Sequence, residues 1–176
     1  MTALQNSRFS TRFGLTTPIA LAPMALASGG ALASACAQAG ALGLVGGGYG
    51  DLAWTQREYG LALEVADTGR IGCGFITWKL DEDASALDWL LDLPPTQRPR
   101  AVMLSFGDAR RYAARIAASG AALICQIQCM QQAPQAVAPA AAAIVGQAPE
   151  PGGHGLTHLN GPARPTLVPN WATWRA

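Results

Sequence analysis

Runs of strand length recur along this chain that are apolar almost throughout, without the alternation of a sheet that has one wet face. They are residues 19–24, 42–46, 71–77, 101–105, 122–128 and 142–147. Successive side chains on a strand point to opposite faces, so an unbroken apolar run means that both faces are covered. Between these runs, residues 29–38, 52–66, 85–91, 109–119 and 130–138 carry apolar spacing near 3.6 and read as helices. A parallel strand pair needs a long crossover and a helix supplies it, so the pattern is one of βα units around a parallel sheet. The punctuation agrees. Gly40, Gly69 and Gly120 stand where helix C-caps are expected, and Asp51, Asp83 and Asp108 stand at N-caps. Pro134 and Pro139 interrupt the last helical stretch, which is expected to be short or kinked. A doubly wound sheet and a (β/α)8 barrel both satisfy this pattern.

Composition narrows the partners more than the fold. The 176 residues are enough for one sizeable core, and half of them are apolar. Charged residues make up only 13% and the formal net charge is +1, with no basic cluster longer than Arg110-Arg111. That leaves no electrostatic footprint for a nucleic-acid backbone or an anionic membrane, and neither is expected as a partner. Arg8 and Arg12 ahead of an apolar stretch loosely imitate an export signal. Pro18, Pro23, Gly29 and Gly30 break the helix such a signal needs, and the expected location is cytoplasmic. Cys36, Cys73, Cys125 and Cys129 lack CxxC spacing and sit in apolar contexts, as structural thiols do.

Residues with chemistry to offer gather just past the C-terminal ends of the strand-like runs. They are Ala22-Pro23-Met24, Gly46-Gly47-Gly48, Thr77-Trp78, Ser105-Phe106, Gln126 and Gln128, then Gln147 through Gly152-Gly153-His154. In a barrel these positions meet at one mouth, and in an open sheet at a switch point. A strand that ends in an amide and opens into paired glycines and an imidazole brings backbone N–H groups and a proton carrier to a flat ligand. Gln126 and Gln128 share one face of their strand, with Cys125 and Ile127 opposite, either serving a ligand or bonding inside the barrel. Gly46 to Gly50 lacks the spacing of a phosphate-binding loop and reads as a tight turn. Trp78 is either a pocket wall or packing material, as are Trp54 and Trp89. His154 and His158 are four residues apart, but Gly155 and nearby prolines oppose a helix and no carboxylate stands close, so no metal site is expected.

Four segments in this order carry a resemblance: Pro18-Ile19-Ala20-Leu21-Ala22-Pro23-Met24, Gly74-Phe75-Ile76-Thr77-Trp78, Met103-Leu104-Ser105-Phe106-Gly107 and Gln147 through Gly152-Gly153-His154-Gly155. Together, from about Thr17 to Pro169, they resemble the nitronate monooxygenase family, formerly called 2-nitropropane dioxygenases, whose relatives include flavin-dependent enoyl-thioester reductases. The resemblance implies an α/β fold, a TIM-type (β/α)8 barrel, here incomplete with about six of eight βα units present. It implies FMN as cofactor, a nitronate or nitroalkane as substrate, and dioxygen as oxidant. His154 would be the catalytic base. Ala22, Pro23 and Met24 would border the flavin, and Gly74, Thr77, Gln126, Gln147, Gly152 and Gly153 would complete its seat. Many family members carry asparagine where Gly74 stands, with Thr77 three residues on.

The chain divides into a lead-in, 1–16, a partial flavin-binding barrel, 17–154, and an irregular tail, 155–176. After Pro169 the likeness stops, in the manner of a frameshifted or prematurely ended reading frame. A barrel of six strands would expose two sheet edges, through which homo-oligomers are expected. The alternatives to a nitronate monooxygenase are an enoyl-thioester reductase and a non-catalytic remnant that oligomerises.

Overall fold

Five strands, β1 (Gly43–Gly48), β2 (Ile71–Ile76), β3 (Ala101–Ser105), β4 (Ala122–Ile127) and β5 (Ala143–Gly146), form one sheet in the computed structural model. It describes residues 7–66, 68–137 and 141–147. The strand order is β1-β2-β3-β4-β5, and every pairing is parallel. β1, β2 and β3 are buried along their whole length, as unbroken apolar runs require.

Sequential order decides between the two architectures left open by the sequence. A doubly wound sheet reverses its strand order once, which sends helices to both faces; here the order never reverses. Right-handed crossovers that always step in one direction put every connecting helix on the same face. The two cores bear this out. Val45, Ile71, Cys73, Phe75, Val102, Leu104, Leu123 and Cys125 pack in one cluster with residues of the helices α2 (Gly30–Gln38), α3 (Leu52–Val65), α4 (Thr77–Glu82), α5 (Ser85–Leu91), α6 (Arg110–Ala118) and α7 (Ala133–Val137). The other face carries Leu42, Leu44, Ala101, Met103 and Ile124, which pack in a separate cluster. A sheet with helices outside and its own side chains inside is an arc of a TIM-type (β/α)8 barrel.

The inner cluster is completed by α1 (Arg8–Phe13), through Phe13 and Leu15 with Phe9 partly buried beside them. The described part of the stretch 1–16, read as a lead-in, thus supplies an inner plug through Phe9, Phe13 and Leu15. Six residues are too few to display a helical period, and the signal is confined to Phe9 and Phe13, whose rings lie 4.9 Å apart. α1 is held at both ends: Ser7 Oγ accepts from Ser10 N at 3.0 Å, and Gly14 closes it in the left-handed conformation.

The run 19–24 departs from expectation. Its pairing with β1 shrinks to one parallel bridge, Ala20 with Leu42, flanked by Leu21 N donating to Leu42 O and Leu42 N donating to Ile19 O. Pro18 and Pro23 have no N–H to give a ladder, and the N–H of Met24 is taken by Ser28 Oγ at 2.6 Å. The run 71–77 also ends early, because Thr77 opens α4. The helix expected over 130–138 is a 3-10 turn (Met130–Gln132) followed by the short α7, as its prolines demand. Asp51 caps α3 by accepting from Trp54 N at 2.9 Å, and Asp83 and Asp108 accept from Ser85 N and Arg110 N at the starts of α5 and α6.

Candidate functional site at the C-terminal strand ends

The loop from Ala22 to Ser28 folds back over the ends of β1 and β2. Ser28 is fully buried and ties the loop into a knot. Its Oγ accepts from Met24 N and donates to Met24 O at 3.0 Å, and its carbonyl accepts from Gly46 N at 2.8 Å. This seats the ring of Pro23 against Gly74. A Cβ built on Gly74 would lie 2.2 Å from Pro23 Cγ and 2.4 Å from Pro23 Cβ. The absence of a side chain at Gly74 therefore admits the proline ring to the face of β2. Gly48, with φ of 44°, lies against Ala25 in the same way, and Gly50 N donates to Gly47 O at 3.0 Å. The turn read from the sequence over Gly46 to Gly50 is thus confined to its end: Gly46, Gly47 and Gly48 close β1, and the chain turns at Tyr49 and Gly50.

On the other side of the mouth the strands present carboxamides. The period-2 reading of β4 holds: Cys125 and Ile127 join the helix-side cluster, and Gln126 and Gln128 are half-buried on the opposite face. Parallel register sets Gln126 beside Val145 and Ile127 beside Gly146, which carries Gln147 to the same level. Gln147 N donates to Ile127 O at 2.9 Å, and its Oε1 accepts from Gln126 Nε2 and, at 3.2 Å, from Gln128 Nε2. Two donors on one oxygen orient the Gln147 carboxamide, and these bonds do not engage its NH2.

Thr77 directly follows β2 and opens α4. It is 0% exposed, and its Oγ1 has no hydrogen-bond partner among the described residues. A buried hydroxyl without a partner costs free energy that a bound polar group can recover. Trp78 beside it is 45% exposed. Gly107, after β3, approaches both, with its Cβ position 2.7 Å from Thr77 Cβ and 3.3 Å from Trp78 N. Trp54 and Trp89 are packing residues: Trp54 Nε1 donates to Gly46 O at 3.0 Å, and Trp89 meets the Tyr59 ring edge-on at 6.2 Å.

The four cysteines are free thiols, with Cys73, Cys125 and Cys129 buried. Burial pushes the Cys73 thiol up to about 12 and the Cys125 thiol up to about 11, so neither is a thiolate near neutrality. Among the described residues no group of three or more His, Cys, Asp or Glu is placed to hold a metal. No helix among them is long and apolar enough to cross a membrane.

Ala22, Pro23, Met24, Gly74, Thr77, Gln126 and Gln147 therefore all lie at the C-terminal ends of the parallel strands. Gly152, Gly153, His154 and His158 lie outside the described residues. The sequence did not signal Ser28, whose knot positions Pro23. Its only trace is a small hydroxyl residue ahead of Gly29 and Gly30.

Parallel strands in sequential order with helices on one face define the class of architecture, an arc of a (β/α) barrel, and the polar groups described above gather at the strand ends where that fold presents its mouth. Solved structures share it. The chain superposes on FabK from Thermotoga maritima with a TM-score of 0.68 and 20% identity, covering 80% of this chain and 43% of that one. A point variant of the same FabK gives 0.70 and 22%, covering 85% and 48%. Nitroalkane oxidase from Streptomyces ansochromogenes gives 0.66 and 24%, covering 80% and 48%. The chain thus spans less than half of the structures whose fold it shares. No protein-family model and no curated protein matches it.

Proposed function

We propose that this chain forms the flavin-seating arc of a barrel oxidoreductase that binds FMN and oxidises nitronates or nitroalkanes with dioxygen. The observation that carries the reading is the junction of Gln126, Gln128 and Gln147 at the strand ends, across from the Pro23 ledge on β2. A flat heteroaromatic ring with polar edges needs an apolar bed and in-plane donors and acceptors. The Pro23 ring supplies the first and the carboxamides the second. The Thr77 hydroxyl, buried without a partner, adds a polar group that such a ligand can satisfy. Ala22, Met24 and Gly74 would complete the bed, and Gly152 and Gly153 would bring backbone N–H groups. The likeness to a structure named nitroalkane oxidase supports the same reading.

His154 would do the proton work. The α-proton of a nitroalkane is acidic enough for a base with pKa near neutrality, and an unperturbed imidazole, at about 6.5, is one. It would take that proton from carbon, leaving the nitronate, and hold the anion as the imidazolium. Bound FMN would supply electron transfer from the nitronate to dioxygen. The chain's own part is to fix the substrate carbon over the ring and to keep the Gln147 carboxamide in one orientation.

A second reading, a flavin-dependent reductase of enoyl thioesters, is favoured by the likeness to FabK. The two separate on a co-substrate: the oxidase consumes dioxygen with nitroalkane alone, and the reductase needs a reduced nicotinamide. The first test is to add FMN to the purified chain and record bound flavin by its visible absorbance. Uptake that falls in Gln147→Ala supports the seat. Colourless protein that takes up no FMN refutes it and favours a non-catalytic remnant that assembles through its sheet edges.

A further inference from the structure

Two residues with side chains hold left-handed backbone among the described residues, Leu26 and Phe106, both with φ of 61°. In that conformation Cβ crowds the neighbouring carbonyl, a strain that glycine escapes and that asparagine offsets with local hydrogen bonds. Leucine and phenylalanine do neither. Both residues nevertheless sit at the same end of the sheet. Leu26 lies in the loop behind the Ala20 bridge, and Phe106 directly follows β3. Leu26 is also 74% exposed, so the burial of its side chain among the described residues does not offset the strain.

Their surroundings repeat the theme. Met24 and Tyr49, in loops that follow the bridge and β1, and Trp78, in the first turn of α4, are also exposed. These segments touch in succession. Ala25 meets Gly48, Gly50 meets the Lys79 side chain, and Gly107 meets Thr77 and the backbone of Trp78. Singly exposed apolar side chains are ordinary, but four at one rim, one of them on strained backbone and with the half-buried Phe106 beside them, are not. The three joined carboxamides lie at the same end of the sheet, and the buried Thr77 hydroxyl stands next to Trp78. An apolar collar beside polar groups complements an amphiphile that sets its polar end on those groups and leaves its hydrocarbon at the rim. Strained residues held against their own preference collect at binding sites.

We infer that Leu26 and Phe106 are specificity-determining residues that grip the hydrocarbon part of the substrate, and that the preferred substrate carries an alkyl or acyl chain of several carbons. This rests on the reading of the mouth as the active site.

The test titrates the full chain with a series from nitroethane to 1-nitrooctane, with and without FMN, following tryptophan fluorescence, in wild type, Leu26→Asn, Leu26→Gly and Phe106→Gly. Burying a methylene favours binding by up to about fourfold, so a wild-type affinity rising about two- to fourfold per added carbon is expected. All three variants should flatten that slope, and their denaturation midpoints should hold or rise because the backbone strain is relieved. A slope equal to wild type in the variants overturns the inference. So does a wild type that binds all chain lengths alike while holding FMN, an outcome that leaves the proposed function standing. No FMN uptake with the slope intact does the reverse, sinking the flavin reading and keeping the collar. If the slope changes only in step with dissociation of a dimer, the rim is a contact between copies and the inference fails.

Discussion

Gly74→Ala tests the seat of the mouth most directly. The new Cβ would lie 2.2 and 2.4 Å from two atoms of the Pro23 ring, whereas ordinary contacts begin at 3.4 Å, so ring and strand must separate by more than an ångström. A proline ring has no rotamer into which it can swing. The separation must come from the loop backbone, which the Ser28 bonds hold in place. Overpacking of this kind costs about 1 to 3 kcal/mol. Gly60→Ala is the control: its Cβ meets nothing within 4 Å inside α3, and it should stabilise by about 0.5 to 1 kcal/mol. Urea unfolding followed by tryptophan fluorescence gives both numbers from midpoints at constant m-value. Pro23→Gly removes both clashing atoms. The double variant Pro23→Gly/Gly74→Ala should therefore recover most of the cost of Gly74→Ala relative to Pro23→Gly, a coupling of at least about 1 kcal/mol. Strictly additive effects, or a neutral Gly74→Ala, would show that Pro23 does not rest on β2 and would remove the ledge from the site.

Asp51→Ala should destabilise by about 1 kcal/mol in thermal melts, since it deletes the carboxylate that accepts from Trp54 N at the start of α3, and Asp51→Asn should restore most of the loss. Tyr59→Phe should cost about 1 to 2 kcal/mol in the same assay, because it strips the Gln97 carbonyl of the hydroxyl that donates to it at 3.0 Å. Cys73 gives a pH signature. Its thiol is raised by burial from 9.0 to about 12, so below pH 9 both folded and unfolded states keep the proton and stability is level. Between those values only the unfolded chain ionises, and stability should fall with rising pH by up to about 1.4 kcal/mol per unit from this group. Burial shifts Tyr59 in the same direction and adds to the loss. Cys73→Ala should be less stable at pH 8 but shallower in its alkaline decline, and a parallel decline would contradict the assignment.

Where local pattern and tertiary packing agreed, the sequence could be read to the residue. β3 and α5 lie where their runs begin and end, because a fully buried strand and an amphipathic helix each leave a period. The carboxamide pair of β4 was readable for the same reason. Three things were not. The run 19–24 looked like a strand by apolarity, but its prolines withhold ladder donors and Ser28 takes another. α1 and α4 are six residues each, too short for a period, and α4 begins on Thr77, a residue that reads equally well as a strand end. The Pro23 ledge is a meeting of residues 51 positions apart. Gly74 marks it only as a missing side chain, a signal without direction.

The inner plug has a consequence for how the molecule comes together on the ribosome. α1 is synthesised first, yet its carbonyl partners arrive late: Arg70 Nε donates to Gly14 O at 3.3 Å, and Arg100 Nη2 donates to Arg12 O at 2.8 Å across 88 residues. Each βα unit can dock on the one just made, but the first helix must wait, with Phe9 and Phe13 uncovered, until β3 has emerged. The earliest segment is thereby the last of this arc to be locked, and anything that shields two phenylalanines during that interval will decide the yield of folded chain.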